Sequence, residues 1–384
     1  MAAGRRRRRG SRGPHPRSPA SPGQGVSGAP RRRVAIVFGG RSAEHEVSVT
    51  SARSVLAALD PERYDVLTVG IDRDGRWHAV AVLPAVAVDE GPTAALSREP
   101  GDAAIVTDDG RRMEIDVVFP LLHGPFGEDG TIQGLLELAG IPYVGAGVLA
   151  SAVGMDKAVQ KTLFEAAGLT VVPHQVVHER DWERDRTGVL ERAADLGLPV
   201  FTKPAALGSS IGITKVKRAA DLPAALEDAL AHSGKALIER SMEGARELEC
   251  AVLGNDEPVA SIPGEIVPDA EWYDYRAKYV EEGTRLDVPA RLPAAIAEEV
   301  RRMAVVAFQA IDGAGMARVD FFFREPGELV LNEINTIPGF TPISMYPKLW
   351  EASGLPYDEL ISRLIELAIE RHERERKRGR AFPS

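Results

Sequence analysis

The sequence predicts an α/β protein built in three parts, on three observations. From Arg33 onward, short apolar strands alternate with segments of helical spacing, the pattern of parallel βαβ units. A chain of 384 residues is too long for one ordinary hydrophobic core. Near the C-terminus, ARVDFFF (317–323) and ELVLNEINT (328–336) read as two strands joined by a tight turn, an antiparallel unit outside the βαβ pattern.

The elements follow in order. VAIVFGG (34–40) is apolar throughout, as a strand buried on both faces is, and EVSVTSARSVLAALD (46–60) has helical spacing. YDVLTVGID, IDVVFPLLHG, the helix TIQGLLELAG and the strand-like IPYVG complete a first domain over 33–150. A small α+β lobe over 151–241 starts at the helix DKAVQKTLFEAAGL (156–169). It continues through the strand VVPHQVV, a helix near 187–197, the strand PVFTKP, a Gly-Ser loop, the helix DLPAALEDALAH and the strand ALIERSM. The third part, 242–384, holds the strand ELECAVLG, the polar-aromatic loop DAEWYDYRAKYVEEGTR, a long helix over 291–310, the acidic hairpin and C-terminal helices. The charged end beyond Ile369 is expected to be a solvated, fraying helix.

Composition bounds the function. The 44% hydrophobic and 27% charged content suits a soluble globular protein, and no apolar run reaches the roughly 20 residues that span a bilayer. Cys250 is the single cysteine, so no intrachain disulfide exists; a reducing cytoplasm is expected, with the thiol as a small buried residue. Residues 1–32 are rich in Arg, Pro, Gly and Ser with few large apolar side chains, and read as a disordered tail. With that basic tail and a net charge of -9, the folded body is acidic, which argues against nucleic-acid binding.

The hairpin carries the densest chemistry. Alternation puts Arg318 and Asp320 on one face, as it does Glu333 and Asn335. If EPGE (325–328) is a four-residue loop, Arg324 faces Leu329, Asp320 faces Glu333 and Arg318 faces Asn335. Two carboxylates and an amide among Phe, Val, Leu and Ile are costly to bury without a cation, and hard oxygen ligands suit Mg²⁺. The plain alternative is a salt bridge in which Arg318 neutralises Asp320.

Other segments point to a polyphosphate and an amino acid. FTKPAALGSSIGITKV (201–216) offers Gly208, Ser209, Ser210 and Gly212 for wrapping phosphates, with Lys203 beside it; it is not a GxxxxGK[ST] loop. FGGRSAEHEVS (38–48) follows a strand and opens a helix. Its amides suit a carboxylate and Glu44 an ammonium, unless Ser42 and Glu44 merely cap the helix. His123, in LLHGPFGEDG, sits past a strand end, where α/β sheets bind ligands. Lys157 can converge with Lys203 on ATP, while Glu239 and Glu247 would contact adenine and ribose unless they are simply surface glutamates. YDYRAKY (273–279) reads as a lid.

Taken in order, GGRSAEHEVS, HGPFGEDGTIQG, KPAALGSSIGI, YDYRAKY and ARVDFFF with NEINTIPGFTPISM resemble the D-alanine–D-alanine ligases of the ATP-grasp superfamily, over residues 33–370. The resemblance implies ATP as substrate and two Mg²⁺ (or Mn²⁺) on Asp320, Glu333 and Asn335. It implies phosphate contacts from Lys157, Lys203 and Ser210, adenine or ribose contacts from Glu239 and Glu247, and oxyanion stabilisation by Arg318 and the Gly339 amide. Glu44 and His123 would hold the first D-alanine, with Ser344 and Met345 holding the second. Glu44, Ser209 and Tyr279 would close a lid that includes Lys278. A homodimer is expected, since that state is usual for the family. Ala206 and Gly313 depart from the family pattern; Gly313 stands where a cysteine or other small residue is usual and is expected to be neutral. Ester formation with D-lactate is disfavoured by the intact YDYRAKY, ligation to D-serine stays open, and a catalytically silent ATP-binding protein is a further alternative.

Overall fold

The computed structural model describes Met1 and residues 30–384, apart from positions 82, 86, 89–90, 100, 209–210, 268–284 and 380–384. Residues from Arg31 onward form one compact unit. Its first sheet runs in the order Trp77–Ala79, Tyr64–Ile71, Arg32–Gly39, Val117–Pro120. The central strand pairs in parallel with both neighbours, Val34 opposite Val66 on one side and Val117 on the other. Parallel pairing with helices on the faces explains why VAIVF is wholly buried. The chain then turns sharply at Gly39, whose φ of +89° and contact with the Ile71 carbonyl leave no room for a Cβ. Helix His45–Ala58 follows, as its spacing predicts. IPYVG, expected as a strand, contributes only a single bridge from Tyr143 to Val118. A small sheet of Ala94–Leu96, Ala104–Thr107 and Arg112–Glu114 was not anticipated.

A second, antiparallel sheet has the order Thr214–Val216, Val200–Pro204, Lys235–Arg240, His174–His178. Leu226, Ala229 and Leu230 of helix Leu222–Ser233 pack with Ala236 and Ile238 in its core. The third sheet places Arg246–Gly254 between Gly264–Val267 and Gly315–Arg324, with Glu328–Asn335 at its far edge. One face of this sheet is buried by Val319, Phe321 and Phe323 against Val300, Met303 and Phe308, on helix Ala294–Ala310. The opposite face carries Arg318 and Asp320, as the alternation predicts.

Helix Tyr357–Gly379 is more than a fraying end. Leu360, Ile361, Leu364 and Ile365 join the core that contains Phe38 and Phe119 of the first sheet. Beyond Ile369, Arg371 lies 4.4 Å from the centre of the Tyr143 ring and donates to the carbonyls of Tyr143 and Gly145. Charge alone suggested solvation, but carbonyls left open by the irregular Tyr143–Gly145 segment give this guanidinium partners. Gly313 is also less neutral than expected, because a Cβ there would lie 2.7 Å from both the ring and the carbonyl of Phe308.

Candidate active site

A cavity of about 1130 Å³ opens between the sheets, and the cavity-facing residues of the acidic hairpin form part of its wall. The hairpin register places Arg318 opposite Asn335 and Asp320 opposite Glu333, as expected. The turn end differs: Arg324 faces Glu328 rather than Leu329, and a bulge at Asn332 absorbs the one-residue slip. On the other side of Gly315–Arg324, Glu249 pairs with Asp320, so Glu249, Asp320 and Glu333 form a row across three strands.

Arg318 grips Asp320 through two 2.7 Å hydrogen bonds, and Asn335 donates its amide to the same carboxylate at 3.0 Å. Lys157 lies 3.4 Å from Glu333. The salt bridge weighed as an alternative therefore exists, inside the cavity rather than on a solvated face. Lys157 begins a helix whose N-cap, Asp156, accepts from the amides of Ala158 and Val159, and its ammonium donates to the Leu207 carbonyl at 2.9 Å. That contact ties the helix to the Gly-Ser loop.

Glu239 reaches the cavity with its carboxylate flanked by two lysines, Lys203 at 2.5 Å and Lys161 at 3.0 Å. Burial opposes its charge, but the two ammoniums outweigh burial and hold it at about 2. For Lys203 burial works downward, yet Glu239 leaves it raised; Lys161 is lowered, chiefly by burial. Sequence reading missed Lys161. It is 1% exposed and donates to the Asn332 carbonyl at the bulge, 2.8 Å away.

Glu44 begins helix His45–Ala58 but makes no side-chain cap, so capping does not explain it. Its carboxylate lies in the cavity wall, close enough to Gly124 that a Cβ there would meet it at 2.5 Å, and near Gly208 of the Gly-Ser loop. His123 lies beside it, with both ring nitrogens engaged. Nδ1 faces the Ile337 carbonyl at 3.2 Å, and Nε2 faces the Ser51 hydroxyl at 3.2 Å. Since a carbonyl only accepts, Nδ1 carries the proton, and burial lowers the ring's pKa so that it stays neutral. His123 thus anchors the Ile337–Gly339 segment. Glu128, also missed, receives the Gly124 amide at 2.9 Å; burial and then the Glu44 charge push it up to about 8.

Gly339, Ser344 and Met345 line the same cavity, and so does Glu247. Ser344 bonds to the Thr341 hydroxyl at 2.8 Å, fixing the turn that carries Gly339. Ser209, Ser210, Lys278 and Tyr279 lie outside the described residues. Cys250 is buried and pushed up to about 12, a packing residue.

The donor set fits a hard divalent cation. Asp320, Glu333 and Asn335 bring two carboxylates and an amide to one face, and Arg318 and Lys157 already supply positive charge there. Among the described residues no three His, Cys, Asp or Glu side chains converge on a metal position, so such an ion would take its other oxygens from substrate and water. An α/β architecture of three main sheets around a cavity lined by Lys157, Lys203 and the acidic hairpin is that of an ATP-grasp protein, and solved structures share the fold. A D-alanine–D-alanine ligase from Coxiella burnetii superposes with a TM-score of 0.82 at 37% identity, covering 92% of this chain and 98% of that one. A D-Ala:D-Ser ligase from Enterococcus faecalis gives 0.78 at 34% identity, covering 88% and 100%.

The sequence matches the N-terminal D-ala D-ala ligase model over residues 33–146 and the C-terminal one over 163–366. It is 51% identical to a D-alanine–D-alanine ligase from Kocuria rhizophila, covering 88% of this chain and 94% of that relative. The chain belongs to the D-alanine–D-alanine ligase family.

Proposed function

We propose that this protein joins two D-alanine molecules at the expense of ATP, forming D-alanyl-D-alanine for peptidoglycan precursors and releasing ADP and phosphate. The observation that carries the reading is that one cavity collects Glu44, Lys157, Lys203, Arg318 and the hairpin carboxylates. The ATP phosphates lie against Lys157 and Lys203, with Ser210 from the loop, and Glu247 takes the ribose. Glu239 acts chiefly by holding Lys203. Two Mg²⁺ or Mn²⁺ ions on Asp320, Glu333 and Asn335 would neutralise the phosphates. The ammonium of the first D-alanine pairs with Glu44, and a carboxylate oxygen attacks the γ-phosphorus as its bond to the β-phosphate oxygen breaks. The resulting acyl phosphate is attacked by the amine of the second D-alanine, held near Ser344 and Met345. Arg318 and the Gly339 amide stabilise the oxyanion, a contribution of about 3–4 kcal/mol for a well-placed donor. Phosphate then departs. Lys278, Tyr279 and Ser209 belong to the lid that excludes water from the acyl phosphate.

Three lobes, 33–150, 151–241 and 242–384, serve this chemistry, although helix Val148–Met155 spans the first boundary. A homodimer is supported by Leu138 and Leu149, 83% and 60% exposed on neighbouring helices with Leu135 and Val148 beside them. Light scattering on the eluted protein tests it. No helix among the described residues is long and apolar enough to cross a membrane, and dependence on ATP supports a cytoplasmic reaction. The activity is tested by ADP release with Mg²⁺ and D-alanine against L-alanine, D-serine or D-lactate added to D-alanine, and no amino acid. Products are read by mass spectrometry. Dipeptide only with D-alanine is expected, while ADP release without amino acid would refute ligation.

A further inference from the structure

Three consecutive residues of the strand Glu328–Asn335 are held by one face of one helix. In the helix Lys157–Ala166, positions 157, 160 and 161 are spaced i, i+3 and i+4 and so share a face. Lys161 donates to the Asn332 carbonyl at 2.8 Å, Lys157 lies 3.4 Å from the Glu333 carboxylate, and Gln160 Oε1 accepts the Ile334 amide at 2.9 Å. Gln160 is 1% exposed, and its Nε2 donates to the Gly154 carbonyl at 3.0 Å. An amide proton on one side and a carbonyl on the other fix which end of the side chain is oxygen. Gly154 in turn lies so close to Thr336 that a Cβ there would meet its methyl group at 2.9 Å. Gln160 thus bridges two backbones that pack directly on each other.

The strand changes register where Gln160 grips it. From Arg324 opposite Glu328 to Phe321 opposite Leu331, the pairing is regular. Continued without a bulge, it would set Asn332 against Asp320 and Ile334 against Arg318, turning Glu333 and Asn335 toward the core face that holds Val319. The extra residue at Asn332 restores Glu333 and Asn335 to the cavity face and returns Ile334 to the core. On this edge strand the Asn332 carbonyl and the Ile334 amide point away from the ladder, and they find their partners in Lys161 and Gln160. We infer that Gln160 is a positioning residue for Glu333: by tying the Ile334 amide to the Gly154 carbonyl, it fixes the strand beyond the bulge in the register that aims the Glu333 carboxylate at the cation proposed there. The inference rests on the metal assignment proposed above. Gln160 lies behind the cavity wall and acts through Glu333; general packing support is the competing role.

The test is Mn²⁺ binding to the full-length protein in the presence of ADP, read from the paramagnetic resonance signal of free Mn²⁺ and corrected for Mn²⁺ held by ADP alone. The proteins are the wild type, Gln160→Met, Gln160→Glu, Glu333→Gln and the Gln160→Met/Glu333→Gln double variant. Methionine keeps the length of glutamine but offers the Ile334 amide no oxygen, so Gln160→Met is expected to weaken Mn²⁺ about fivefold, the order of one neutral hydrogen bond. Gln160→Glu still presents an oxygen to that amide and should recover most of the affinity. In the Glu333→Gln background, Gln160→Met should weaken Mn²⁺ no further. In steady-state assays Gln160→Met should raise the Mn²⁺ concentration that gives half-maximal rate while the KM for D-alanine stays near wild type. Equal weakening in both backgrounds, no weakening in either, or equal losses in Gln160→Met and Gln160→Glu would each overturn the inference. Should Gln160→Met fail to fold, Gln160→Asn takes its place, keeping the amide but falling short by one methylene. Weakened Mn²⁺ with an unchanged KM for D-alanine is then expected, and wild-type Mn²⁺ affinity would overturn the inference. Wild-type Mn²⁺ affinity in Glu333→Gln would overturn the metal assignment itself, which separates that failure from a failure at Gln160 alone.

Discussion

Replacing Lys161 by methionine perturbs a residue that touches no substrate in the account above, yet links two parts of the site. Its ammonium donates to the Asn332 carbonyl at 2.8 Å and lies 3.0 Å from Glu239, with 1% of the residue exposed. Methionine keeps most of the volume, so little cavity cost arises. Removing one partner of a buried ion pair costs about 3–5 kcal/mol, and an orphaned buried carbonyl about 1–3 kcal/mol. These overlap, and Lys203 stays 2.5 Å from Glu239, which keeps that carboxylate paired. The lower end, about 3 kcal/mol, is therefore expected. Urea unfolding at neutral pH, with the m-value checked for constancy, measures it. With Lys161 gone, Glu239 acts on Lys203 alone and draws it from the phosphates, so the KM for ATP should rise more than the KM for D-alanine. An unfolding free energy within about 0.5 kcal/mol of wild type would refute the claim that the buried lysine is a structural tie.

Glu333→Ala should nearly abolish turnover while leaving the melting temperature close to wild type, because Glu333 faces the cavity; wild-type-like activity would sink its assignment as a metal ligand. Glu128, raised to about 8 from an ordinary 4.5, contributes stability that is complete below about pH 4.5 and is lost as pH rises through 8. Glu128→Gln should therefore lose less stability than wild type between pH 5 and 8, and thermal melts with parallel pH profiles would contradict the burial argument. At Gly124, φ is +73° and a Cβ would meet the Glu44 carboxylate. Gly124→Ala should thus cost about 1–2 kcal/mol of stability and raise the KM for D-alanine, whereas unchanged kinetics would separate Glu44 from ammonium binding.

Much of this was legible in the sequence because period-two alternation is exact. Arg318 and Asp320 share a face whatever the turn does, as do Glu333 and Asn335, while the observed pairs at 318/335 and 320/333, which bring the two sets together, depend on the bulge at Asn332. The turn itself was misread, since no local signal separates a four-residue loop from a shorter one compensated by a bulge. Asn332, a poor strand former whose carbonyl meets Lys161, was the available hint. Lys161 lies one helical turn beyond Lys157 and so shares its face, but its burial depends on a strand 171 residues away. Glu249 stands two residues after Glu247, on the same strand face, and could have been found by the alternation that found Asp320. Arg371 was read by charge, and only tertiary contact with Tyr143 shows that it is packed.

The most direct test of the central claim uses D-alanine labelled with ¹⁸O in both carboxylate oxygens, ATP and Mg²⁺, with the phosphate and dipeptide analysed by mass spectrometry. An acyl phosphate requires that one labelled oxygen leave with the phosphate for each D-alanyl-D-alanine formed, and that is the predicted result. Dipeptide formation with unlabelled phosphate, or labelled D-alanine recovered without dipeptide while ADP accumulates, would contradict the account.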